Sequence, residues 1–318
     1  MEIFLWVLEA VLVLLAIGTI GFWVARRNVI PESVQGFLIQ LAVNIALPCL
    51  VFSSILVNFS PAKFPDWWQL PLWWFVYAAI SLVLTLMTMF VSNKDTRGEF
   101  AINLFYQNGL FFPLIIISGI FGTDAPYLPQ LYIFIILHPV MFFSTYQFFF
   151  KKSAEQAQGQ THWHRIINPI LVATVLGIIV QLIGVKAYLP DFIYSILEML
   201  GRMALPLIMI ILGGSLYLDF RQKGKIYYKE IIKFLIVKDI VFPLVFLAIL
   251  VFWRPSYSIA LLFLLQAAVP PVTATPILTA RAGGNKAISN QFVLSSFIFS
   301  IVTVPTMFLL FSLFFPLP

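Results

Sequence analysis

An all-α integral membrane protein of ten spans, arranged as two inverted five-helix repeats, is the fold class this sequence predicts. Three observations carry it: the bulk hydrophobicity, ten apolar runs of spanning length, and landmarks that recur half a chain apart. Of 318 residues, 61% are hydrophobic and 10% charged, with a mean hydropathy of +0.98. A soluble chain carries about 25% charged residues. The polar surface here is too small to wrap a water-soluble globule, so most of the outer surface must face lipid. The 33 Phe and 8 Trp fit that setting, and the pairs Trp67-Trp68 and Trp73-Trp74 suit the headgroup belt.

A span needs roughly 20 apolar residues to cross about 30 Å of hydrocarbon. Runs at 3–24, 34–57, 68–92, 98–121, 128–150, 168–186, 193–218, 231–253, 256–280 and 288–315 meet that need. Lipid offers no hydrogen bonds to open backbone, so each run is expected to be helical. Glu2 and Glu9 stand where a signal peptide would be basic, and no small-residue cleavage site follows. The first run is therefore read as a retained span.

Orientation follows from the loops. Those after odd-numbered spans hold Arg26, Arg27, Lys94, Arg97, Lys151, Lys152, Arg165, Arg221, Lys223, Lys225, Lys229, Lys233, Arg281 and Lys286, fourteen in all. Those after even-numbered spans hold three: Lys63, Lys186 and Arg254. The positive-inside rule then puts both termini outside and the segment 151–167 in the cytoplasm. This placement of the basic residues accounts for the net charge of +6 without nucleic acid. The segment 151–167 is the one break in composition. It divides the chain into a first repeat, 1–150, and a second, 168–318. His162 and His164 within it have too few partners for a metal site, and a solvated linker is expected. The lone Cys49 excludes an intramolecular disulfide and any Cys-based metal cluster. No cofactor or metal is expected.

The repeats show as ordered matches. Gly18 pairs with Gly177 and Pro31 with Pro190, each 159 positions apart. Ala46-Leu47-Pro48 pairs with Ala204-Leu205-Pro206 at 158, and Gln107 with Gln266 at 159. Five spans per half is an odd number, so the second half must enter the membrane from the opposite face. Inverted repeats of this kind give secondary transporters two exchangeable states, with substrate held near the midplane at interrupted helices.

Spans 4 and 9 are the interrupted pair. Span 4 carries Gln107, Asn108, Gly109 and Pro113; span 9 carries Gln266, Pro270, Pro271, Thr273, Thr275 and Pro276. Proline removes an amide donor and clashes with the preceding turn, so adjacent prolines break a continuous helix. Groups freed at such a break must find side chains, water or ligand. A half-helix that restarts there points open N–H groups at the gap, which suits an anion. Packing kinks are the competing reading.

A charged side chain at a helix centre costs on the order of 3 kcal/mol. Arg202 lies four residues before Pro206, and its repeat mate Asn44 lies four before Pro48. Two readings stand for Arg202: a countercharge for a carboxylate substrate, or a structural partner of Asp239 or Glu198. Lys238 and Asp239 share span 8. As sequence neighbours they face about 100° apart and cannot simply pair with each other. They are read as coupling charges or as structural ones. His138, followed by Pro139, is expected to be a hydrogen-bonded core residue.

These residues resemble the auxin efflux carrier family, which includes plant PIN carriers and bacterial malate and malonate permeases. Asn44-Ile-Ala-Leu-Pro48 is similar to the family's Asn-x-x-Leu-Pro signature. Asn168-Pro169, Pro206 and Gly213-Gly214-Ser215-Leu216 follow its second-half pattern, and Asn108-Gly109, Pro113, Pro270 and Pro271 match its broken helices. The resemblance covers nearly the whole chain. It implies a scaffold of spans 1, 2, 6 and 7 through which such proteins dimerise. It further implies a transport domain of the remaining spans, organic anion substrates and an elevator-like motion. Arg202 lies outside the family signature.

The expected function is a secondary transporter of a small organic carboxylate in the cytoplasmic membrane. Its substrate would sit between the span 4/9 crossing and the Asn44–Arg202 face. A sodium-coupled bile-acid-type carrier is the nearest competitor, and it would call for more acidic and amide residues around the crossing. An intramembrane enzyme would need a nucleophile with a base, or paired carboxylates. Asp239 is the one deep carboxylate, so no catalytic residues are expected. A sensor would need a soluble signalling domain, and composition indicates none.

Overall fold

The computed structural model describes residues 2–62, 64–150, 169–184, 189–221 and 226–317. The linker 151–167, with His162 and His164, lies outside the described residues. Sixteen α-helices follow one another through the described residues, joined by short 3-10 and π segments.

In the first half these are α1 Glu2–Arg26, α2 Glu32–Leu41, α3 Leu47–Asn58, α4 Leu70–Thr88, α5 Arg97–Phe105, α6 Phe111–Phe121, α7 Tyr127–Phe134 and α8 His138–Thr145. The second half holds α9 Pro169–Ile183, α10 Asp191–Arg202, α11 Ala204–Arg221, α12 Tyr228–Leu235, α13 Phe242–Trp253, α14 Tyr257–Ala268, α15 Thr275–Arg281 and α16 Lys286–Phe314. Among the described residues, five helical stretches are long and apolar enough to cross a membrane: Val34–Asn58, Trp67–Val91, Asp191–Ser215, Tyr228–Trp253 and Lys286–Phe314. Shorter apolar helices fall at Phe111–Phe121, Tyr127–Phe142, Pro169–Ile183 and Tyr257–Ala268.

The joints inside these stretches sit at prolines. A π segment, Ala42–Ala46, joins α2 to α3 immediately before Pro48. At the matching place in the second half, Met203 interrupts the helix between α10 and α11 just before Pro206. Pro31 and Pro190 play one local role, each the extended residue preceding a helix start (ψ 156° and 141°). Pro243 follows a second π segment, Ile236–Val241, that joins α12 to α13. In each case the missing proline amide leaves the preceding carbonyls to find a shifted partner.

Helices from the two halves pack on each other at glycines. α1 lies along α11, and α3 lies against α9 and α10. A Cβ on Gly213 would fall onto the Gly18 backbone, and one on Gly21 would meet the Ile210 Cα at 2.8 Å. On the other pair, a Cβ on Gly177 would come within 3.0 Å of Ile55, and one on Gly201 within 2.8 Å of the Leu50 backbone. Small residues that admit backbone to backbone are the usual means of helix association in lipid. Gln181 adds a polar tie, its Nε2 donating to the Ile55, Leu56 and Phe59 carbonyls at 3.0, 2.7 and 2.8 Å. It thereby gives a partner to the Leu56 carbonyl, one of the last four of α3.

Residues of α5, α6, α7, α14 and α16 form the most deeply buried part of the chain. Every described residue of α14 from Ala260 to Ala268 is buried.

Candidate functional site

The broken helices meet inside that buried region. After α5 the chain runs extended at Tyr106, and after α14 it runs extended at Val269. The two extended stretches pass antiparallel, with Gln107 opposite Pro271. Asn108 N donates to the Pro270 carbonyl at 2.8 Å, and Val272 N donates to the Tyr106 carbonyl at 3.0 Å. Each break therefore supplies hydrogen-bond partners that the other lacks. Pro270 and Pro271 have no amide to offer, so the second stretch contributes a carbonyl at Pro270 and its first free donor at Val272.

Side chains extend the contact. Gln266, in the last turn of α14, donates through Nε2 to the Gly109 carbonyl at 2.8 Å. A Cβ at Gly109 would fall on the Gln266 amide, 3.0 Å from its Cδ and overlapping its Oε1, so a larger residue there must displace the glutamine. Gln107 Nε2 donates to the Tyr77 hydroxyl and, at 3.4 Å, to Ser81 Oγ. These two acceptors stand one turn apart on α4. Pro113 is buried in the first turn of α6, and Thr273 is half-buried in the turn before α15. Thr275 Oγ1 donates to the Val272 carbonyl at 2.7 Å and closes that turn.

Asn108 stands out by what it leaves unmet. Its Oδ1 accepts from Phe111 N at 3.3 Å and so caps α6. The amide nitrogen Nδ2 is sealed from solvent with no acceptor among the described residues. That bond fits this assignment of oxygen and nitrogen. The nitrogen is thus a buried donor, in a residue 4% exposed, beside the positive end of a helix.

Beneath the crossing lie two charges, both fully buried. Lys238 Nζ donates to the Ala267 carbonyl at 2.9 Å, in the last turn of α14. A cation there complements the carbonyl end of the half-helix. Asp239 accepts from Ser296 Oγ of α16 at 2.7 Å through one carboxylate oxygen; the other, Oδ2, is buried without a partner. Both sit on the π segment Ile236–Val241.

The structure separates other residues that the sequence groups together. Gln107 lies in the first break, whereas Gln266 still belongs to α14. The residue opposite Gln107 is Pro271, so the match at 159 positions does not describe the crossing. Arg202 is paired with Glu198 at 2.6 Å, its side chain 78% exposed. Asn44 is also exposed, on the π segment before α3. Of the two readings of Arg202, the observed geometry is the local pair. Its partner is one helical turn away on α10, and Asp239 bonds Ser296 instead. His138 also differs from expectation. Its Nε2 is buried without a hydrogen bond, among the rings of Trp74, Tyr106 and Phe142.

Tyr77, Ser81 and Ser296 escaped the sequence reading. Hydroxyls are ordinary within apolar helices, and only the spacing of Tyr77 and Ser81 placed them on one face. A cavity of ≈ 560 Å³ also opens between Phe59, Trp67, Trp73, Gln130, Trp253 and Ile259. It lies among the loops that the basic-residue bias assigns to the outside.

Comparison with known protein families gives one match: a family described as membrane transport protein, aligned over residues 6–308. No curated protein matches the chain.

Proposed function

The chain belongs to the membrane transport protein family, that of the auxin efflux carriers, and on this premise we propose that it is a secondary transporter for a small organic carboxylate. The observation that carries the substrate class is Asn108 Nδ2, a buried donor with no acceptor at the N-terminus of α6. A carboxylate oxygen is a strong acceptor and gains from both the amide and the helix end.

The substrate sits at the crossing, bounded by Gln107, Asn108, Gln266, Pro270, Pro271 and Thr273, with Pro113 under the first turn of α6. Ten spans form two inverted five-helix repeats, 1–150 and 168–318. Support for this comes from the proline joints at matched places before Pro48 and Pro206, and from the glycine contacts between α1 and α11 and between α3 and α9. These glycine-packed helices form the scaffold, which dimerises. The remaining helices move as an elevator that carries the crossing from one side of the cytoplasmic membrane to the other. Both termini face outside. The ≈ 560 Å³ aromatic cavity is the outer approach. Lys238 and Asp239 hold α14 and α16 to the moving body.

Uptake of labelled malonate, malate and indole acetate into proteoliposomes, under imposed proton, sodium and voltage gradients, tests the proposal. Saturable uptake of one of them, lost in Asn108→Leu, is the expected result. No carboxylate moving under any gradient would remove the anion reading.

A sodium-coupled bile-acid-type carrier is the second reading, favoured by the unpartnered Oδ2 of Asp239. Uptake that requires sodium, and is driven by an inward sodium gradient alone, would decide for it.

A further inference from the structure

We propose that His138 is a protonatable relay joined to the crossing through one buried water, so that substrate handling at Asn108 is linked to proton uptake. The inference rests on the carrier reading above for its link to substrate. Its first half stands on geometry alone.

A small cavity of ≈ 10 Å³ lies between α4, the first break and α8, and His138, Gln107, Tyr77 and Trp74 help to line it. That volume admits about one water molecule, and a water is retained where two to four polar groups converge. Here the polar groups are present. His138 Nε2 is sealed and has no hydrogen-bond partner among the described residues. The Gln107 amide and the Tyr77 hydroxyl line the same space and already bond each other. One water would complete the imidazole's hydrogen bonding and connect it to Gln107, the residue beside Asn108 in the break.

Ionisable neighbours of the ring are Tyr77 from α4 and Tyr106 from the break. No Asp, Glu, Lys or Arg side chain lines the cavity or stacks on the ring among the described residues. The imidazole's charge is therefore not fixed by a standing partner. In the proposed step, a proton from the aqueous phase is relayed through the water to neutral Nε2, the water giving up one proton as it gains another, so that it stays neutral. The imidazolium returns the proton by the same bond. An anion arriving at Asn108 places negative charge near the imidazole and favours the protonated form.

Only three histidines occur in the chain. Replacing His162 and His164 by Gln leaves His138 as the sole reporter, and ¹⁵N-histidine spectra in nanodiscs then follow its protonation across about pH 4 to 9. The expected result is a reversible change from the neutral to the doubly protonated pattern. Its midpoint should move by about half a pH unit or more when Gln107→Leu or Tyr77→Phe removes the water's other partner, and move upward on adding malonate. In proteoliposomes, an inward proton gradient should stimulate malonate uptake several-fold in the parent. It should do so not at all in His138→Gln, which retains malonate exchange.

A nitrogen pattern constant over the whole range would overturn the proposal. So would a midpoint indifferent to both variants, or full gradient stimulation in His138→Gln. If malonate neither moves nor shifts the midpoint while the two variants still do, the carboxylate reading fails and the imidazole–water–Gln107 link survives.

Discussion

The amide of Asn108 donates to the carbonyl of Pro270 at 2.8 Å, so one broken helix is sutured to the other through main chain. The return bond, Val272 N to the Tyr106 carbonyl, is 3.0 Å. Backbone pairing of this kind is insensitive to side-chain identity, which leaves the side chains of Gln107 and Asn108 free for other work. Gln107 uses its amide on Tyr77 and Ser81. Asn108 uses half of its amide on the α6 cap and holds the other half open.

Gly109→Ala tests how tightly the crossing is built. The added methyl would overlap the Gln266 amide, whose Nε2 now bonds the Gly109 carbonyl. Either the glutamine swings away or the two breaks separate. We expect a loss of about 1–3 kcal/mol, typical of overpacking, and a larger loss of transport than of stability. Thermal unfolding in detergent, measured beside substrate uptake, checks both. An uptake rate within twofold of the parent would show that the Gln266 contact is dispensable.

Lys238 and Asp239 should behave as a buried pair although they do not bond each other. Lys238→Met leaves the Asp239 charge buried with one serine bond, at a cost of about 3–5 kcal/mol. Asp239→Asn strands the ammonium in the same way, with only the Ala267 carbonyl. Removing both charges leaves neither uncompensated. The double variant is therefore expected to be more stable than Lys238→Met alone. A double-mutant cycle on unfolding midpoints gives the answer, and strict additivity would mean that the two charges ignore each other.

Much of this arrangement could be read without coordinates because proline leaves a physical trace. Pro48, Pro206, Pro270 and Pro271 each remove a donor, and each lies at or beside a joint in the structure. The glycine landmarks were legible for a similar reason, since Gly18 meets Gly213 at backbone distance and Gly177 makes room for the Ile55 side chain. Partner choice was not legible. Nothing in the sequence says whether Arg202 turns toward Glu198 or toward the membrane interior, because either rotamer is open to a long side chain. The register of the crossing was hidden too. Gln107 and Gln266 match in sequence, but the differing lengths before each break bring Pro271, not Gln266, opposite Gln107.

Arg202→Gln is expected to leave substrate affinity unchanged. The guanidinium is 78% exposed and held by Glu198 one turn away, and exposed pairs of this kind contribute about 0–1 kcal/mol. Binding measured by scintillation proximity on the purified variant should match the parent within twofold. A tenfold loss would return Arg202 to the substrate site and imply that α10 turns toward the crossing in another state.

A buried carboxylate clamps the turn between α4 and α5 to the start of α12, and Glu230→Gln should open that clamp. Glu230 on α12 is 3% exposed. One of its oxygens accepts from Ser92 Oγ at 2.6 Å, Thr96 Oγ1 at 3.2 Å and Asn93 N at 3.2 Å. Its other oxygen holds Lys233 at 2.7 Å. An ionised carboxylate accepts only, and all four of these neighbours can donate. Glutamine must turn an NH₂ toward either the loop or the lysine, so one set of donors loses its acceptor. Losing charge-assisted bonds at a buried site costs about 1.5–3 kcal/mol. The clamp ties the turn between α4 and α5 to the start of α12, joining the two halves of the proposed moving body. A second tie, Glu99 Oε1 accepting from Asn285 N at 2.6 Å, joins α5 to the start of α16. If these halves travel as one unit, loosening the clamp should lower the transport rate and speed amide exchange at 92–97. Exchange in α9 should stay as it was, because Gln181 anchors that helix to α3 independently. Uniformly faster exchange in both regions would instead mean global destabilisation, and unchanged exchange at 92–97 would mean that the hydroxyls and Asn93 find water in place of Glu230.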